Sequence, residues 1–147
     1  MTEGTVRIGR PDPASVDSYR QCGRATFAVR RLATSRLAVA VIGDIDARNG
    51  RDLGRFVEQH TGISRQLVLD MRAVDFAGTQ AFTALYYISV HCARNDVDWI
   101  IVGSHPVRRL LSICDPDGEL PLANDLTSAL DDLTRSARCH QHVRSAG

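Results

Sequence analysis

The chain has 147 residues, 44% of them hydrophobic, which suits one ordinary domain with a true core and short tails. Its 18 basic and 17 acidic residues leave a net charge of +1, every basic residue is an arginine, and no basic run occurs, so nucleic-acid binding driven by overall charge is excluded. No stretch has the length and apolarity of a signal peptide or a spanning helix, and Cys22, Cys92, Cys114 and Cys139 lie far apart without a Cys-x-x-Cys pair; a cytoplasmic location with reduced thiols is expected, with no membrane insertion, disulfide scaffold or zinc module.

Residues 1–25 are polar, contain Pro11 and Pro13 and lack periodicity, so they read as an arm ahead of the fold. Thr26 to Arg31 and Leu37 to Ile42 then read as two strands of a hairpin, the second ending in Gly43-Asp44-Ile45-Asp46. From Ala47 to His60, Leu53, Phe56 and Val57 fall on one face of a helix, with Asp46 as its expected N-cap and Gly62 as its stop. Leu67 to Met71 is a nearly continuous apolar run, the pattern of a strand buried on both faces.

A second helix is expected over Thr79 to Arg94, with Phe82, Leu85, Ile88 and Cys92 at helical spacing. Trp99 to Val102 reads as another buried strand. Ser104 is placed to cap the next helix, with Pro106 in its first turn and Val107, Leu110, Leu111 and Cys114 on one face. Leu120 to Leu122 suits an edge strand broken by Pro121, and Asn124 or Asp125 caps a last helix ending near Leu133. Residues 135–147, with Cys139, His140 and His142, read as a solvated, flexible tail. The alternation predicts an α/β domain, a mixed sheet of four to five strands with about four helices.

Two junctions between strand and helix carry polar groups of interest. Read from residue type alone, Thr79 caps or starts the second helix and Asp46 caps the first; a hydroxyl at such a junction also suits a nucleophile or a kinase substrate. Cys92 and Cys114 both lie on apolar helix faces, where buried thiols usually pack as small hydrophobes, the alternative being a redox pair. His91, His105, Tyr86 and Tyr87 read as surface, cap or packing residues. No glycine-rich phosphate loop, Gly-x-Ser-x-Gly elbow or His-Glu-x-x-His occurs, so a binding module without catalytic residues, metal or cofactor is expected rather than an enzyme.

Three local patterns in this order resemble the STAS domain, the fold of the anti-sigma factor antagonists. Val41-Ile42-Gly43-Asp44-Ile45-Asp46-Ala47 looks like the family's Gly-Glu-(Leu/Ile)-Asp signature, and Leu69 to Phe76 resembles its Asp-Leu-x-x-Val-x-Phe segment. Pro106-Val107-Arg108-Arg109-Leu110-Leu111 is similar to the family's helix start rich in proline, valine and arginine. The resemblance covers residues 26–134.

In the family the loop after that phenylalanine reads Met-Asp-Ser-Ser-Gly-Leu, and its first serine is phosphorylated. The resemblance therefore places Thr79 at the phosphoacceptor position, with Gly78, Gln80 and Ala81 where the family has its acid, second serine and glycine. It implies a partner-binding face formed by Asp46, Asp75, Gly78, Thr79, Gln80 and Phe82, and an anti-sigma factor, a histidine-kinase-type ATPase, as partner. Two alternatives are implied beside it: an accessory subunit of a membrane lipid transporter, and an antagonist switched by Cys92 and Cys114.

Overall fold

A computed structural model describes residues 18–146, with side chains through Arg138. Residues 1–17 of the arm, and the side chains of Cys139, His140 and His142, lie outside the described part. Six strands and four helices are described: β1 Ser18–Cys22, β2 Ala25–Ala33, β3 Arg36–Ile45, α1 Gly50–Thr61, β4 Gln66–Ala77, α2 Thr79–Arg94, β5 Asp98–Gly103, α3 His105–Cys114, β6 Leu122–Ala123 and α4 Leu126–Ala146. They form one mixed sheet in the order β1-β2-β3-β4-β5-β6. The first three strands are antiparallel and each later one is parallel to its predecessor.

Alternation along the strands sorts side chains to two unequal layers. Leu37, Val39 and Val41 of β3, Leu67, Leu69 and Met71 of β4, and Ile101 of β5 meet the inner faces of α1, α2 and α3 in the main core. Phe27 and Phe56 lie within it with ring centroids 5.5 Å apart. The intervening residues Val68, Ile100 and Val102 point the other way, where Ala129 and Leu133 of α4 cover them in a second, smaller cluster. Three helices thus sit on one face and α4 on the other.

Several sequence-based boundaries move. The sheet has six strands, not four to five, because β1 forms inside the segment read as an arm: its five residues lack alternation but pair in register with Ala25 to Val29 across a turn at Gly23. β4 runs on to Ala77, well beyond Met71. Ile42 pairs with Ala73 and Asp44 with Phe76, so β4 carries one extra residue at each of two irregularities, and these bulges hide its alternation from the sequence. α4 continues to Ala146 rather than ending near Leu133; that stretch contains neither glycine nor proline.

Two further features fix the frame. Gly43 has φ +105°, and a Cβ there would lie 2.2 Å from the Arg24 carbonyl oxygen, so only glycine fits where the β2 end folds over β3. Arg108 donates to the carbonyls of Gly103, Ala123 and Asn124 at 3.2, 2.8 and 2.8 Å, which ties α3 to β5 and to the loop ahead of α4.

Candidate functional site

Parallel pairing of β3 with β4 brings their C-terminal ends together: Ile45 and Ala77 are register partners, and the Gly78 N–H donates to the Ile45 carbonyl at 2.9 Å. The junctions leading into α1 and α2 therefore share one end of the sheet, the place where open α/β folds present their functional loops.

The α1 junction is a tight turn. Asp46 lies in it, half-buried, its Oδ1 accepting from the Arg48 N–H at 2.9 Å and its carbonyl from the Gly50 N–H at 3.0 Å. Its ion pair with Arg48 is 3.8 Å long and Arg48 is 78% exposed, so the pair adds little to stability. The expected cap by Asp46 is not what forms. The helix starts three residues later than that cap requires, with Asn49 at the N-cap position and its side chain turned backwards. Asn49 Oδ1 accepts from the Asp46 N–H at 2.9 Å, and Nδ2 donates to the carbonyls of Cys22 and Asp44 at 3.0 and 2.9 Å. Fully buried, Asn49 pins the Asp46 turn to the end of β1. Sequence reading passed over it because only the fold brings the Cys22 carbonyl, 27 residues away in the chain, beside it.

The α2 junction is open by contrast. Gly78 is the N-cap, no side chain caps the helix, and its first turn holds no acid; the partial positive charge of the helix start is left to solvent. Thr79 is exposed at the first helical position, and its hydroxyl donates to Gln80 Oε1 at 3.4 Å. It starts the helix without capping it. Asp75 and Gln80 are exposed, Gly78 is half-exposed, and Phe82 is half-buried with its ring 6.5 Å from that of Tyr86. Phe76, which the motif resemblance included but the expected partner-binding face did not, is 52% exposed, and Tyr86 is 58% exposed. Phe76 is thus a large apolar ring turned to water beside the start of α2, just past the second irregularity of β4.

A groove with a volume of about 390 Å³ runs between α1 and α2 from this patch, with Gly50, Gly54, Arg51, Arg55, Gln80 and Tyr87 among its lining residues. Tyr87 donates to Glu58 Oε1 at 2.6 Å, and that bond to a carboxylate, first among its influences, raises the phenol above its ordinary range.

The cysteines lie apart from the patch. Cys92 is buried in the main core, Cys114 is half-buried against it, and both are free thiols. Burial pushes the Cys92 thiol up to about 12, which leaves it protonated and unreactive near neutral pH. No group of three or more His, Cys, Asp or Glu among the described residues could hold a metal ion, and no helix among them is long and apolar enough to cross a membrane.

The solved structures that share this fold include the following three. An anti-sigma factor antagonist from Mycobacterium paratuberculosis is 23% identical with a TM-score of 0.57, over 74% of this chain and 92% of that one. A serine-to-glutamate form of RsbS from Moorella thermoacetica is 21% identical with a TM-score of 0.59, over 75% and 96%. The anti-sigma factor antagonist SpoIIAA in its unphosphorylated form is 10% identical with a TM-score of 0.60, over 74% and 96%. By sequence, no curated protein matches the chain. The family model of the STAS domain matches residues 29–129, more than half of the chain, and the chain belongs to the STAS domain family.

Proposed function

We propose that the protein is an anti-sigma factor antagonist: it binds an anti-sigma factor of the histidine-kinase-type ATPase class through the start of α2 and so frees a sigma factor. The observation that carries this reading is Thr79 itself, exposed at the first position of an uncapped helix and flanked by exposed Phe76 and half-buried Phe82. Binding needs apolar area that leaves water, which these rings supply, together with polar groups at the rim, supplied by Asp46, Asp75 and Gln80. Nothing in the arrangement calls for a catalytic role.

The same position suits a switch. Transfer of the γ-phosphoryl group of ATP to Thr79 Oγ1, with loss of the hydroxyl proton and release of ADP, would add nearly two negative charges to the patch. The free N–H groups of the α2 start can accommodate that phosphate without unfolding the helix, while a facing partner would have to desolvate it. Gly78, in place of an acid, leaves the site without a neighbouring negative charge. A cysteine switch has less support, since the buried Cys92 thiol is held in its unreactive form.

Affinity capture from the native cell's lysate with the wild type, Thr79→Glu and Thr79→Val tests the reading. Retention of an anti-sigma ATPase by the wild type and Thr79→Val, with release by Thr79→Glu, is the expected result. Retention by all three removes the switch and keeps the docking role. Retention of a lipid-transporter ATPase subunit in place of an anti-sigma factor overturns the antagonist reading.

A further inference from the structure

Gly50 and Gly54 stand one turn apart on α1 and both face α2. A Cβ on Gly50 would lie 2.9 Å from Gln80 Cβ, and one on Gly54 would lie 2.9 Å from the Tyr87 ring. The two glycines, both buried, let Gln80 and Tyr87 come down onto α1, and along this contact runs the groove of about 390 Å³, within the range that receives side chains or small ligands. Arg51 and Arg55 stand on its α1 rim, also one turn apart and both exposed. Neither has a carboxylate partner among the described residues. Tyr87 forms the opposite wall, and its hydrogen bond to Glu58 fixes a carboxylate one turn beyond Gly54.

We propose that this groove receives an acidic helical segment of the docked partner protein. The segment would present two carboxylates one turn apart to Arg51 and Arg55 and an apolar side chain to the groove beside Tyr87. This deepens the docking role proposed above and rests on it. Charge complementarity selects an acidic occupant, and the spacing of the arginines selects a helical one, since side chains four residues apart on a helix are neighbours. A free small anion would meet two arginines bathed in water and salt, where such attraction is weak. A protein covering the groove excludes that water and makes both charges count for register and specificity. A polyanion such as nucleic acid is disfavoured by the fixed Glu58 carboxylate and by a net charge of only +1. The groove also runs on from Gln80, so one partner can cover it together with the Thr79 patch.

The test is an NMR titration of the full-length, isotope-labelled chain with a helical peptide bearing glutamates at i and i+4 and a leucine on the same face. Saturable shifts at Arg51, Gly54, Arg55 and Tyr87 are expected. The affinity should fall about tenfold or more in the folded Arg51→Glu/Arg55→Glu variant, and a peptide with lysines for the glutamates should not bind. Absence of shifts at these residues up to millimolar peptide, or equal affinity in the double variant, overturns the proposal. So does the same arginine-dependent response to inorganic phosphate or to anionic phospholipid vesicles, because the groove would then read negative charge alone. The peptide arm needs no anti-sigma factor, so its outcome is separate from that of the antagonist reading. Conversely, an anti-sigma factor released by Thr79→Glu but held at full affinity by Arg51→Glu/Arg55→Glu leaves the antagonist reading standing and overturns this one.

Discussion

Asn49 spends its side chain wholly on backbone, accepting from Asp46 and donating to Cys22 and Asp44 from a position with no exposure. Replacing it by alanine takes this partner from the Cys22 and Asp44 carbonyls and the Asp46 N–H, all in part-buried bonds. Asn49→Ala should therefore lower unfolding stability by about 2–3 kcal/mol, read by denaturant titration. It should also speed amide exchange across Asp46 to Gly50 before any global opening. A variant as stable as the wild type would show that water takes over these bonds and that the turn needs no pin. Thr79 is the opposite kind of residue: its one side-chain hydrogen bond is long and local, so substitution there should change binding while leaving stability nearly untouched.

At the scale of elements, helix ends carry most of the consequences. α4 begins with a true cap: Asp125 Oδ1 accepts from the Ser128 N–H at 2.7 Å. That backbone bond, the largest influence on its carboxyl, holds it below the usual aspartate range. A depressed folded value means the charged cap stabilises above the ordinary aspartate value and the contribution is lost as pH falls through the folded value. The stability gap between the wild type and Asp125→Asn, which keeps a cap but no charge, should accordingly be present at pH 7 and close in strong acid. A gap independent of pH would assign the effect to cap geometry alone. α2 lacks any such device, and the uncapped end is the one that meets the partner in the proposed mechanism, where a ligand rather than a side chain completes the helix.

For the whole molecule, the two faces of the sheet have separate duties. α1, α2 and α3 bury the main core, with the proposed docking patch at the starts of α1 and α2, whereas α4 covers Val68, Ile100 and Val102 on the reverse side. Leu133→Ala should cost about 2–4 kcal/mol of stability through the cavity it leaves, seen as a lower melting temperature. Partner affinity measured below that temperature should be unchanged, because the sheet stands between α4 and the start of α2. Loss of affinity in a folded Leu133→Ala protein would show instead that the faces are coupled.

The sequence by itself determined the α/β class, the buried strands, the helix faces and the position of Thr79 at a strand-to-helix junction. These follow from local periodicity and from motif order, which depend on residues close in the chain. Leu67 to Met71 and the stripe Leu85, Ile88 and Cys92 are legible in that way. Only the tertiary structure decided what depends on distant partners. β1 exists through pairing with β2, and the end of β4 through pairing with β3 across two bulges. Asn49 stands at the N-cap position expected of Asp46 but turns its side chain away from the helix, because the Cys22 carbonyl, 27 residues away in the chain, is brought beside it. The groove, finally, runs beside the contact where two glycines of α1 come against Gln80 and Tyr87 of α2, an approach set by how two helices pack on one sheet rather than by either helix alone.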